Sequence, residues 1–97
     1  MHARVSYYDL EGAARDDVVR SFESTRGVIE QMPGNQGALL LVDPGHAKAL
    51  SVSFWESEEA LRATEEQADE VRQQSAGGAN AVIRGVEVYE VALDFRS

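Results

Sequence analysis

The sequence predicts an α+β fold: a four-stranded antiparallel sheet built in the order β-α-β-β-α-β, the split βαβ or ferredoxin-like arrangement, with two helices on one face. Three observations carry this. Four segments read as strands, two carry apolar residues at helical spacing, and only the turn "PGHA" (44–47) separates the two central strands. The chain has 97 residues, enough for one domain spanning 1–97, and no linker-like stretch divides it.

"ARVSYYDL" (3–10) is rich in β-formers and is the first strand. In "EGAARDDVVRSFESTRGVIEQM" (11–32), Val18, Val19, Phe22, Ile29 and Met32 recur at helical spacing, and Pro33 and Gly34 stop the helix. "QGALLLVD" (36–43) and "KALSVSFW" (48–55) form a hairpin around the Pro-Gly turn. Ser57 is placed to cap a second helix, with Glu58 and Glu59 at the positive end of its dipole. Its apolar stripe, Ala60, Leu61, Thr64, Ala68 and Val71, is narrow and runs to about residue 75. "AGGAN" (76–80) reads as a flexible break, and "VIRGVEVYEVAL" (82–93) as the last strand.

With both helices on one face, nothing in the chain is left to cover the other. An apolar sheet face of that size is an interaction surface. A second copy, a ligand or both are expected to cover it.

Side chains alternate along a strand. Leu50, Val52 and Phe54 fall on one face and Ser51, Ser53 and Trp55 on the other. The apolar trio is expected against the helices. Trp55, and with it Arg4, Ser6 and Tyr8 of the first strand, is then expected on the opposite face, at the mouth of a cavity. Two aromatics, a guanidinium and several hydroxyls make a mixed surface of the kind that lines pockets. A packing role competes for Trp55, since an aromatic at a strand end is most often structural.

Composition removes several classes of function. The chain has no cysteine, so disulfides, thiolate nucleophiles and thiolate metal sites are excluded. A formal net charge of −8 speaks against nucleic acid and against anionic membranes. Apolar runs such as "ALLLV" (38–42) are too short to cross a bilayer, and the N-terminus lacks a signal-peptide core, so a cytoplasmic location is expected. His2 and His46 have no metal-ligand spacing, and Glu65, Glu66, Asp69 and Glu70 read as a solvated helix face, so no metal site is expected. "AGGAN" lacks the Lys and Ser/Thr of a phosphate loop.

The strand order, "PGNQGALLLVD" and above all "SVSFWESEEALRA" resemble the dimeric α+β barrel proteins, in particular the antibiotic-biosynthesis-monooxygenase-like domains. The likeness runs from about residue 3 to residue 93. It implies a homodimer whose two sheets close into a barrel, and a cavity that holds an aromatic molecule. Some such proteins are cofactor-independent monooxygenases of polyketide quinols or anthrones, and others degrade haem.

The haem degraders carry a tryptophan and a haem-ligating histidine on the second helix, where this chain has Thr64 and Gln74, and a first-strand asparagine where it has Ser6. The anthrone monooxygenases carry an asparagine four residues before the strand-end tryptophan and a tyrosine six after it; here those places hold Ser51 and Leu61. Trp55 alone matches both groups.

The resemblance thus implies a monooxygenase of a small phenol, quinol or anthrone that uses no cofactor. The alternative is a non-catalytic dimeric binding or structural protein of the same fold. Trp55, Tyr8, Arg4, Ser6, Ser51 and Ser53 are the candidate substrate-binding residues, Tyr8 or Arg4 donating to a developing oxyanion. No general base is identifiable.

Overall fold

A computed structural model describes residues 1–96. The elements are β1 (His2–Asp9), α1 (Arg15–Ser24), α2 (Arg26–Glu30), β2 (Asn35–Asp43), β3 (Lys48–Trp55), α3 (Glu58–Ala63), α4 (Glu65–Ala79) and β4 (Val82–Glu90). A 3₁₀ turn, Pro44–His46, joins β2 to β3 and ends on Ala47 in the left-handed region. The strands form one sheet in the order β2-β3-β1-β4, and every neighbouring pair is antiparallel. This is the expected ferredoxin-like α+β fold. No helix among the described residues is long and apolar enough to cross a membrane.

Each expected helix is broken into two. Thr25 divides the first and Thr64 the second. The reason at Thr64 is local: its Oγ1 donates to the carbonyls of Ala60 (3.0 Å) and Leu61 (3.1 Å), and such back-bonding bends or interrupts a helix. Ser57 caps α3 as expected, its Oγ accepting from the Ala60 amide at 3.1 Å. "AGGAN" is not a break: α4 continues through Gly77 and Gly78 and stops at Asn80, whose φ of 58° is the left-handed C-cap. Tertiary packing overrides the glycines, since Ala76 and Ala79 are both buried in the core. The last strand ends at Glu90, short of the expected residue 93.

Gly34 is required where it stands. Its φ is +83°, a Cβ there would lie 2.5 Å from the Ala60 Cβ, and its carbonyl accepts from the Glu56 amide at 2.9 Å. It thereby ties the start of β2 to the end of β3.

The structure reverses the two faces of the sheet. Tyr8, Ala49, Leu40, Val42 and Ile83 pack with Val18, Phe22, Ala76 and Ala79 of the helices. Trp55 packs with Met32, Leu61 and Val71. The register pairs Arg4 with Ser53 and Ser6 with Ser51, so these residues share the helix side. Leu50, Val52 and Phe54 therefore face away from the helices, together with Leu39 and Leu41, which are 46% and 49% exposed. The expectation that the most apolar strand face meets the helices fails because this chain places a hydroxyl-lined cavity beneath them instead.

One irregularity shapes β4. Tyr7 pairs with Gly85 but Tyr8 pairs with Ile83, so Arg84 is an extra residue, a β-bulge. Its side chain turns outward to Asp9 (2.8 Å) and Glu11 (3.5 Å).

Candidate functional site

Beneath the helices lies a cavity of about 730 Å³. Its floor is the two central strands, β1 giving Arg4, Ser6 and Tyr8, and β3 giving Ser51 and Ser53. Alternation puts these five on one face, and the pairing of β1 with β3 sets them side by side. Val19 and Phe22 of α1 form one wall, and Val71, Arg72 and Ser75 of α4 another. Glu23, Arg26 and Glu30 form an exposed rim, with Arg26 ion-paired to both carboxylates.

The polar groups inside are joined to one another. The Tyr8 hydroxyl and Ser51 Oγ are 2.9 Å apart. Phe22 meets the Tyr8 ring edge-on, with centroids 5.2 Å apart, and so fixes its orientation. Arg72 donates from Nε to Ser6 Oγ (3.0 Å) and from Nη1 to Asp69 Oδ1 (2.8 Å). Arg4 donates from Nη2 to the Leu61 carbonyl at 2.6 Å, while its Nη1 is enclosed without a partner. Ser75 Oγ donates to the Val71 carbonyl (2.9 Å) and lies 2.8 Å from Thr25 Oγ1.

Burial pushes the Tyr8 phenol up, opposed by hydrogen bonds from Ser51 and Ser6 and by the charge of Arg72. Tyr8 is therefore a neutral donor, not a base, across the physiological range. Burial pushes the Arg4 guanidinium below its ordinary value, and the charge of Arg72 adds to this, while Glu65 opposes it.

Of the six residues singled out in the sequence, five line this cavity: Arg4, Ser6, Tyr8, Ser51 and Ser53. Trp55 does not. It is fully buried behind the cavity rather than at its mouth, and its Nε1 donates to Ser53 Oγ at 2.9 Å. The reason is the reversed sheet: Trp55 shares the helix side, where Met32, Leu61 and Val71 enclose it.

Sequence reading missed Arg72, Ser75 and Phe22 as cavity residues. The stripe Ala68–Val71 extends by helical spacing to Arg72 and Ser75, and that continuation was the available signal. Gln74 is exposed on the outside of α4, so the residue turned to the cavity at this level is Ser75. Glu65, Glu66, Asp69 and Glu70 lie exposed, as expected of a solvated helix face.

The sequence model named "Antibiotic biosynthesis monooxygenase" matches residues 1–65, about two thirds of the chain. The protein belongs to the antibiotic biosynthesis monooxygenase family. Solved structures of similar shape agree. The heme-degrader MhuD from Mycobacterium tuberculosis, with two hemes bound in its active site, is 26% identical, with a TM-score of 0.72 over 99% of this chain and 100% of that one. SnoaB from Streptomyces nogalater, a cofactor-independent oxygenase, is 13% identical, with a TM-score of 0.75 over 99% and 97% of the two chains. A candidate antibiotic biosynthesis monooxygenase from Deinococcus radiodurans is 14% identical, with a TM-score of 0.69 over 100% and 98%. At 13% and 14% identity the last two speak for the fold alone. No curated protein matches this chain. The part of the chain matched by the antibiotic biosynthesis monooxygenase model contains the whole cavity floor and the α1 wall; Arg72 and Ser75 lie beyond it.

Proposed function

We propose that the protein is a cofactor-independent monooxygenase of a small aromatic substrate with an ionisable carbon or hydroxyl, such as a phenol, quinol or anthrone. The observation that supports this most is the placement of the Tyr8–Ser51 hydroxyl pair on the floor and the Arg72 guanidinium on the α4 wall of one cavity beneath the helices. Such a site can take up a flat ring, strip it of water and stabilise its anion.

For an anthrone the chemistry balances with dioxygen alone. The ring methylene loses a proton, and the carbanion passes one electron to dioxygen. The substrate radical and superoxide combine, and the resulting hydroperoxide loses water to leave a carbonyl. One dioxygen is consumed, with one oxygen atom in the quinone and one in water. The carboxylates lining the cavity, Glu23 and Glu30, stand at the rim and are held by Arg26. The chain therefore acts through the substrate's own acidity: Arg72 and Tyr8 favour the anion, and the proton leaves through the rim to water.

The residues do not fit haem. Among the described residues no histidine lines the cavity; His2 begins β1 and His46 lies in the β2–β3 turn.

A homodimer completes this reading. The outer sheet face carries Leu39, Leu41, Val52 and Phe54, and a second copy sheet to sheet would cover it.

The deciding measurement is oxygen uptake with 1,8-dihydroxyanthrone. Uptake above the uncatalysed rate, one dioxygen per quinone formed and reduced in Arg72→Gln, is expected. Saturable binding of the anthrone with no added uptake would favour the non-catalytic binding protein, a reading supported by the lack of a base inside the cavity.

A further inference from the structure

We infer that the cavity takes an aromatic ligand carrying a carboxylate, which sits between the guanidiniums of Arg72 and Arg4. The inference rests on the reading of this cavity as the ligand site, but not on the oxidation.

It starts from a charge imbalance. Arg4 is 3% exposed and Arg72 9% exposed, so both cations are buried, and both line the same cavity. Their only hydrogen-bonded carboxylate is Asp69, on Arg72, and Asp69 is 54% exposed, so water shares its charge. Arg4 has only the neutral Leu61 carbonyl, and no carboxylate lies within ion-pair distance of it among the described residues. A buried guanidinium without a counter-charge is costly, and a ligand anion removes that cost.

Each guanidinium has a donor that no protein group satisfies. Arg72 commits Nε and Nη1, which leaves Nη2 without a protein partner. Arg4 keeps Nη1 without one. A carboxylate accepts from two such groups at once, and charge-assisted bonds of this kind are the strong ones.

Position along β1 adds a length. Arg4 and Tyr8 are four residues apart on the same strand face, roughly 13 Å at the rise of a strand. The Arg4 end lies beside Trp55 and the Tyr8 end beside Phe22. A ligand that meets both ends has a hydroxyl or carbonyl at one pole, for Tyr8 and Ser51, and its carboxylate near the other. A fused-ring acid has this form and a simple neutral phenol does not.

The test compares 2-naphthoate with 2-naphthamide, the same shape without the charge, by isothermal titration of the full chain. Naphthoate is expected to bind at least about tenfold more tightly, the worth of one charge-assisted hydrogen bond. Arg72→Gln should bring the two affinities together, and Arg72→Lys should keep part of the preference. Equal binding of acid and amide to the unaltered protein would overturn the inference, and so would binding of neither at millimolar concentration. A preference that survived both Arg72→Gln and Arg4→Gln would also overturn it. The unaltered protein alone decides the first two outcomes, so a variant that fails to fold does not rescue the idea. An acid preference with no anthrone-dependent oxygen uptake would remove the oxygenase reading and leave the anion site standing.

Discussion

The guanidinium carbon of Arg4 lies 5.2 Å from the centre of the Trp55 ring, and both side chains are buried. Trp55 is thus the backing of the cavity rather than its lining. It holds Arg4 by a cation–π contact, worth about 1 kcal/mol or more when desolvated, and holds Ser53 through its indole N–H.

Trp55→Ala is accordingly expected to destabilise the fold by about 3–5 kcal/mol, as large core truncations do. Urea denaturation followed by circular dichroism measures this. A loss under about 1 kcal/mol would mean that the indole is not the packing residue that its enclosure by Met32, Leu61 and Val71 implies.

Tyr8→Phe keeps the ring against Phe22 and removes only the hydroxyl bonded to Ser51. Stability should fall by about 1 kcal/mol, while turnover of an anthrone should fall by roughly a hundredfold if the hydroxyl stabilises the anion. The pH sign follows from burial. A phenol raised above its ordinary value of 10.0 contributes stability that is complete below pH 10 and is lost as pH rises through the folded-state value. The phenylalanine variant should therefore lose less stability than the unaltered protein between pH 9 and 11, a difference that thermal melts across that range would show or refute.

Gly77 and Gly78 are adjacent in α4 yet should respond oppositely to alanine. A Cβ on Gly77 meets nothing within 4 Å, so Gly77→Ala should stabilise by up to about 1 kcal/mol through helix propensity. A Cβ on Gly78 would lie 2.6 Å from Ser21 Oγ, which donates to the Ser75 carbonyl and cannot turn away without losing that bond. Gly78→Ala should melt below Gly77→Ala, and the reverse order would mean that α1 and α4 do not meet here.

Replacing Leu39 and Leu41 together by lysine should yield a folded monomer. Both face away from the helices and are about half exposed, so the helix-side core is untouched. An interface of obligate type buries about 2,000 Å² or more, and two desolvated ammonium groups per copy would oppose it. Light scattering of the unaltered protein at micromolar concentration should give twice the 10.6 kDa chain mass, and a monomer there would remove the dimer.

Hemin should form no specific one-to-one complex. Ser75, not a histidine, is the α4 residue turned to the cavity at the level of Gln74. A saturable Soret shift abolished by one substitution would contradict this.

The elements were legible because each carries a local signal: Ser57 at its cap, Pro44–Gly45 in its turn, Val18 and Phe22 one helical turn apart. The cavity floor was legible too, because Arg4, Ser6, Tyr8, Ser51 and Ser53 travel together whichever face they take. Which face they take was not. Alternation fixes phase but not side, and the usual tie-breaker, that the apolar side meets the helices, misleads when the outer side is apolar as well. Leu50, Val52 and Phe54 answer to that outer surface, and Trp55 followed the opposite set inward. Arg72 was not legible as a cavity residue because a charge on an acidic helix reads as solvent-facing, whereas its burial and its bond to Ser6 on the cavity floor turn it inward.

The bulge at Arg84 gives β4 two phases in one strand. Below it, Ile83 points to the core; above it, Val86 and Val88 stand on the cavity side, while Glu87 and Tyr89 join Tyr7 on the outer side. Pair the same residues without the bulge, Arg84 opposite Tyr7, and every side chain beyond it changes place: the carboxylate of Glu87 would swing under the helices and the valines would move to the outer surface. One-residue insertions and deletions elsewhere in this strand, unlike the loss of Arg84 itself, are therefore not neutral adjustments of length. They exchange the electrostatic character of two surfaces at once, leaving most amino acids unaltered and the wrong ones turned inward.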